Sequence, residues 1–366
     1  MKPEYKNCQL NLIASIEKHY GDKTQHFAPI PEIDELLVGK KHIFLIVLDG
    51  LGTRLVEENL SEHSFIREHY FKTMSTLYPS TTTCVTIALR SGKLPNDTGF
   101  YAWHQYFPEH NRDIVLFKNT DYYTGERING KIPLTFRQFF DRYENVSTYS
   151  LYPKWSIEQG YKNFNAQVEK MIDISSSNDN TFTYCYYDEP DETIHKYGTK
   201  AGRVKKLINK LDKGLAKLEK GIKKDSIVFM VADHGLIDCE TIYLEDYPDI
   251  IDLLTLKPTL ESRITSFKVS DMGRFKRLFE HHFPIGFELY TKDEYLKSDY
   301  VFHTNTAYQF EPFLFDYVAV ANDKFCFQLK RGIQKMKAAH AGSTEEEMLV
   351  PLVVFESREK KESKWV

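Results

Sequence analysis

The chain has 366 residues, of which 42% are hydrophobic and 27% charged, and its 48 lysines and arginines against 52 aspartates and glutamates leave a formal charge of −4. Those proportions, at a length that can bury a large core, exclude collagen-like, low-complexity and disordered chains. A balance this close to neutral excludes a protein that coats nucleic acid or another polyanion.

The first strong element is His42–Leu48, an unbroken apolar run of the kind buried parallel strands show, and Asp49 follows it directly in Leu48-Asp49-Gly50. Next comes Tyr78-Pro79-Ser80-Thr81-Thr82-Thr83-Cys84, leading into Val85, Ile87, Ala88 and Leu89, which reads as hydroxyl residues at the start of a helix. Free backbone N–H groups and the helix dipole favour an anion at such a place; an ordinary hydroxyl cap would look the same. Asn145–Ser150 and Thr181–Tyr187 read as further strands, and the second is followed by Asp191 and His195. Val204, Leu207, Ile208, Leu211, Leu215, Leu218 and Ile222 recur at helical spacing, with a lysine-rich opposite face that reads as solvated surface. Ile227–Ala232 is another apolar strand and runs into Asp233 and His234. Strand, amphipathic helix and strand form a βαβ unit, and hence a parallel sheet.

From Glu240 to Phe327 the pattern becomes irregular, rich in aromatics and broken by proline and charge. The expected organisation is therefore an α/β core over residues 1–239, an inserted cap over 240–327, and core completion with a charged tail over 328–366. His340 precedes the last strand, Leu349–Phe355, and the tail runs from Glu356 to Val366.

In a parallel sheet, ligands bind beyond the carboxyl ends of the strands. Three strand ends deliver Asp49, the pair Asp191 and His195, and the pair Asp233 and His234, while His340 enters from the last segment. Taken singly, each is also a turn, an acidic loop or a surface histidine. Together, mixed aspartate and histidine ligands suit two metal ions of zinc type, roughly 3.5–4 Å apart. A threonine hydroxyl beside such a centre becomes a usable nucleophile, because a cation lowers its pKa.

With these residues in place, the sequence resembles the alkaline phosphatase superfamily, and within it the type I phosphodiesterase/nucleotide pyrophosphatase family. The resemblance runs from about His42 to Phe355 and is carried by Leu48-Asp49-Gly50, Pro79-Ser80-Thr81-Thr82, Pro190-Asp191-Glu192-Thr193-Ile194-His195, Ala232-Asp233-His234-Gly235 and the segment from His340 to Leu352. It implies an alkaline-phosphatase-like α/β fold, with a mostly parallel central sheet, helices on both faces and an inserted smaller cap. It implies Thr82 as nucleophile, one zinc on Asp49, Asp233, His234 and Thr82, and another on Asp191, His195 and His340, with manganese as the other candidate metal. The implied chemistry is cleavage of a phosphodiester or pyrophosphate bond in a small substrate, nucleotides among the candidates, through a phosphothreonine intermediate.

The sequence departs from that family in places. Thr83 stands where an aromatic usually stacks the base, Trp103 where an asparagine usually helps hold phosphate, Thr98-Gly99 where His-Gly is usual, and Ala341 where a glycine follows the last histidine. Thr83, Tyr101 and Trp103 are the candidate substrate contacts. A phosphonate-bond hydrolase of the phosphonoacetate hydrolase kind, a phosphomonoesterase and a non-catalytic binding protein stay open on the same scaffold. A sulfatase does not, because Cys84-Val85-Thr86-Ile87-Ala88 lacks the proline and arginine its cysteine needs. Five scattered cysteines without a CxxC pair read as free thiols in a reducing compartment. With no signal-like start and no apolar run near the roughly 20 residues of a membrane span, the expectation is a cytoplasmic protein with no membrane contact.

Overall fold

The computed structural model describes residues 1–22, 27–130, 132–154, 159–332 and 336–357. Most of the expected tail, residues 358–366, lies outside them. Six strands build the central sheet: β1 (His42–Leu48), β2 (Tyr70–Ser75), β3 (Ser147–Leu151), β4 (Thr181–Tyr187), β5 (Ser226–Val231) and β6 (Leu349–Glu356). Their order is β2-β6-β5-β1-β4-β3. β4 and β5 flank β1 in parallel, β3 is parallel to β4, and only β6 runs against its neighbours. Every residue of β1 and β5 is buried, as a strand covered on both faces requires.

The helices that matter for the site are α1 (Gln9–His19), α2 (Thr82–Ser91), α3 (Phe164–Ile174), α4 (Asp191–Tyr197) and α5 (Gly202–Gly221). α5 buries Val204, Ile208, Leu211, Leu215 and Leu218 and packs on α3, while Lys205, Lys206, Lys210 and Lys213 face solvent. α1 packs on α2. No described helix is long and apolar enough to cross a membrane.

A second, antiparallel sheet has seven strands, ordered Phe287–Thr291, Tyr317–Ala321, Ile264–Phe267, Thr259–Leu260, His104–Phe107, Arg112–Val115 and Thr120–Asp121. This sheet draws on more of the chain than the expected cap, residues 240–327. Residues 104–121, read as part of the core, belong to this sheet through the pairing of Leu260 with His104. The physical reason is burial: Phe107 and Ile114 share one apolar cluster with Leu260, Ile264 and Phe313, and so are covered by the cap and not by the central sheet. A short parallel pair, Glu240–Tyr243 with Phe325–Gln328, joins the two ends of the inserted segment.

Candidate metal centre

Backbone hydrogen bonds tie the strand-end loops together before any side chain is considered. Asp49 N donates to Tyr187 O at 3.0 Å, and Asp191 N donates to Asp49 O at 3.1 Å. Gly50 N donates to the Asp233 carboxylate at 3.0 Å. Gly50 sits at φ 73°, and a Cβ there would lie 2.9 Å from the Cβ of Asp191. At Gly235 the backbone of Glu346 approaches so closely that a Cβ would fall 2.0 Å from its carbonyl oxygen. Glycine at both places lets the loops close on one point.

The three histidines are oriented alike. His195 Nδ1 faces Ala338 O at 2.7 Å, His234 Nδ1 faces Gly235 O at 3.1 Å, and His340 Nδ1 faces Ser80 O at 3.1 Å. A carbonyl only accepts, so each Nδ1 carries a hydrogen and each Nε2 is the nitrogen turned to the centre, the one a metal would take once it is deprotonated. His234 Nε2 lies 3.4 Å from Asp49 Oδ1 and 3.7 Å from Asp233 Oδ2. Asp191 Oδ1 lies 3.2 Å from His195 Nε2 and 3.9 Å from His340 Nε2. The rings of His234 and His340 stack with centroids 3.8 Å apart.

Asp49 Oδ1, Asp191 Oδ1 and Asp233 Oδ2 are buried and accept no hydrogen bond. Orphaned, converging carboxylate oxygens are costly in a fold unless a cation sits among them. The donor atoms gather in two sets, Asp49 with Asp233 and His234, and Asp191 with His234 and His340, each within 4.8 Å of one another. Mixed oxygen and imidazole donors of this kind fit divalent cations of zinc or manganese type.

The electrostatics agree. Burial, then the charges of Asp233 and Asp191, push the Asp49 carboxyl well above its usual range. Burial also opposes a charge on Asp191, but His195 beside it outweighs that and holds the carboxyl well below its usual range. Against its own burial, His195 is lifted to about 9 by the Asp191 carboxylate. Burial, reinforced by His234, pushes His340 far down, so its imidazole is neutral.

Thr82 is the first residue of α2, with Thr81 as an extended N-cap. Its Oγ1 lies 3.2 Å from His234 Nε2, and its residue is 6% exposed. The open end of the helix thus faces the same point as the metal-ligand atoms.

A cavity of about 550 Å³ opens over the centre, lined by Asp49, Thr82, Asp191, His195 and His340. Asp233 and His234 are fully buried and do not line it. Of the candidate substrate contacts, Trp103 lines the cavity and the other two do not. Tyr101 is buried in the cap, with its ring stacked on Phe310 at 4.1 Å and its hydroxyl against that of Tyr295, so it is a packing residue. Thr83 is fully buried inside α2.

Among the cavity residues that escaped sequence reasoning, three make contacts at the centre or its rim. Tyr186, next to last in β4, donates its hydroxyl to Asp49 Oδ2. Lys118 sits on the rim with its ammonium 5.7 Å from the Trp103 ring. Glu261 reaches in from the cap, where its Oε1 accepts from Thr81 Oγ1 at 2.5 Å and from Trp103 N at 2.7 Å. Tyr186 sits in a strand already recognised, and its phenol so close to a strand-end aspartate was the one available signal. Glu261 had none, because it lies in the irregular 240–327 segment.

The sequence profile of the type I phosphodiesterase / nucleotide pyrophosphatase family matches residues 43–343. Venom phosphodiesterase CdcPDE of Crotalus durissus collilineatus is 32% identical over 94 residues, which are 24% of this chain and 11% of that protein. The venom phosphodiesterase of Naja atra matches to the same extent, so the similarity spans about a tenth of these relatives' length. Among solved structures, murine ectonucleotide pyrophosphatase/phosphodiesterase 5 superposes with a TM-score of 0.64 at 17% identity, over 85% of this chain and 87% of that one. An inactive form of the murine protein in complex with AMP gives 0.63. These structures share the fold of the chain.

Proposed function

The chain belongs to the type I phosphodiesterase / nucleotide pyrophosphatase family, and from that premise we propose that it hydrolyses a phosphodiester or pyrophosphate bond in a small substrate, with Thr82 as nucleophile. The observation that carries the reading is the convergence of two sets of donor atoms, each within 4.8 Å, with Thr82 Oγ1 3.2 Å from the imidazole common to both. Asp49, Asp233, His234 and Thr82 would hold one zinc, and Asp191, His195 and His340 the other, with manganese able to substitute. Bound there, the cations supply the positive charge that favours a threonine alkoxide and draws in the phosphoryl oxygens.

The chain's own groups do the rest. Thr82 attacks phosphorus in line with the departing oxygen, and the N–H groups of the first turn of α2 face the equatorial oxygens. The phosphothreonine is then hydrolysed by water. Tyr186 holds Asp49 by its hydroxyl, and Ala338, Gly235 and Ser80 hold the imidazoles in one tautomer.

The cavity wall favours a diester. Beyond the ligands it carries Asp188, Glu192 and Glu261 against Lys118. A diester bears one negative charge, whereas a monoester bears up to two and is repelled more strongly by this wall. Trp103 and Tyr122 add aromatic faces suited to an apolar or base-like substituent.

The test is turnover of bis-p-nitrophenyl phosphate, p-nitrophenyl phosphate, a dinucleotide and a phosphonate by metal-loaded protein. Diester or dinucleotide preference is expected. Monoester preference would assign a phosphomonoesterase, phosphonate cleavage alone a phosphonate hydrolase, and no turnover at full metal occupancy a binding protein.

A further inference from the structure

Two of the five cysteines are neighbours although they lie 87 residues apart in the chain: the sulfurs of Cys239 and Cys326 are 3.3 Å apart. The other three, Cys8, Cys84 and Cys185, are buried singly. Cys239 is half-buried between Ile237–Asp238 and Glu240–Tyr243, and Cys326 is fully buried in Phe325–Gln328. Thr241 pairs with Cys326 in the parallel ladder, so the two thiols sit at the start of one short strand pair.

We propose that Cys239 and Cys326 are a redox-modification site, closing a reversible disulfide that ties the cap to the rim of the metal centre. The surroundings point to more than core packing. Cys239 N donates to Lys337 O at 3.0 Å, and Lys337 N donates to His195 O at 2.7 Å. On the other side, Arg263 donates to Phe325 O at 2.7 Å and forms a buried ion pair with Glu347, whose carboxylate accepts from Gly342 N at 2.8 Å. The pair thus lies between the segment holding His195 and the loop that follows His340. Two sulfurs already in contact are what internal disulfide exchange requires.

The co-reactant is a small-molecule disulfide. Cys239, the accessible member, attacks one of its sulfurs; the S–S bond breaks, a mixed disulfide forms and one external thiol leaves with the Cys239 proton. Cys326 then attacks the Cys239 sulfur, the internal bond forms, and the second external thiol leaves with the Cys326 proton. Two cysteine sulfurs are oxidised and one external disulfide is reduced to two thiols.

The test equilibrates the full chain in mixtures of glutathione and its disulfide, quenches with acid, and counts alkylated thiols by mass after denaturation. The expected result is a fall from five alkylations to three, one peptide pair joining Cys239 to Cys326, full recovery with dithiothreitol, and melting about 5 °C higher when oxidised. Cys239→Ser is expected to abolish the cross-link without changing metal content or turnover of the reduced protein. Five alkylations at every ratio, or a cross-link joining another pair, would overturn the proposal; peptide mapping of the unsubstituted chain decides this even where the serine variant fails to fold.

Discussion

At the scale of single residues, the position after His340 shows how a family departure is accommodated. Ala341 stands at φ 79°, in the left-handed region where a Cβ is strained, and Ala341 N donates to Ser80 O at 2.9 Å. Its backbone is therefore held in place by the same residue whose carbonyl orients His340. Ala341→Gly is expected to stabilise the protein by about 1 kcal/mol, the strain relieved exceeding the extra freedom of the unfolded chain, with unchanged metal content. A lower denaturation midpoint would contradict this. Glu261 is the cap carboxylate on the cavity wall, and in the proposed function it bears on charge preference. It follows Leu260, a bulky residue at φ 80°, and backbone strain of this kind is retained where function fixes a side chain. Glu261→Gln is expected to raise monoester turnover relative to diester turnover by about tenfold at pH 8, the size of one screened charge contact. An unchanged ratio would remove the carboxylate from the specificity argument. Sequence reasoning singled out Asp49, Asp191 and Asp233 because they stand at or within a few residues of the ends of apolar strands. It misplaced Tyr101 because an aromatic cluster reads alike whether its rings meet one another or a substrate.

At the scale of elements, the unbroken apolar strands were legible because burial on both faces leaves β1 and β5 apolar after their first residues, His42 and Ser226. The second sheet was not. Several of its strands have only two to four residues, too short to show alternation, and the pairing of Leu260 with His104 links segments 156 residues apart in the chain (260 − 104). Helix α1 bears a prediction of its own, since it packs on α2, the helix that begins at Thr82. Burial, opposed by Arg142, lifts Glu17 on α1 from 4.5 to about 7. The fold thus favours the protonated acid. That contribution is fully present below about 4.5 and is lost as pH rises through about 7. Glu17→Gln is therefore expected to gain about 1 kcal/mol relative to the parent between pH 5.5 and pH 8.5, read from denaturation midpoints. An equal effect at both pH values would show that burial does not control this carboxyl.

At the scale of the whole molecule, the two lobes meet around a buried ion pair. Arg263 from the cap and Glu347 from the core are both fully buried, with Nε to Oε1 at 2.6 Å, and Glu347 also accepts from Gly342 N and Thr344 N. Glu347→Gln leaves the guanidinium uncompensated and is expected to lower stability by about 3 kcal/mol. It should also weaken metal binding at the His340 side, measured by zinc titration; intact affinity would separate the lobe contact from the centre. The formal charge of −4 excluded the coating of polyanions, and the folded chain shows where the relevant acids are. Asp49, Asp191 and Asp233 are withdrawn from the surface to one rim, where two divalent cations would turn a repulsive cluster into an anion site.

The most direct test of that claim is diester turnover by metal-stripped protein titrated with zinc, run in parallel on the parent chain and on Thr82→Ala. The parent should be inactive without metal and reach full activity at two zinc per chain. Thr82→Ala should take up close to the same zinc, yet turn over at least about a thousandfold more slowly. Full activity in the stripped protein, saturation with no zinc bound, or a Thr82→Ala variant as active as its parent would contradict the account.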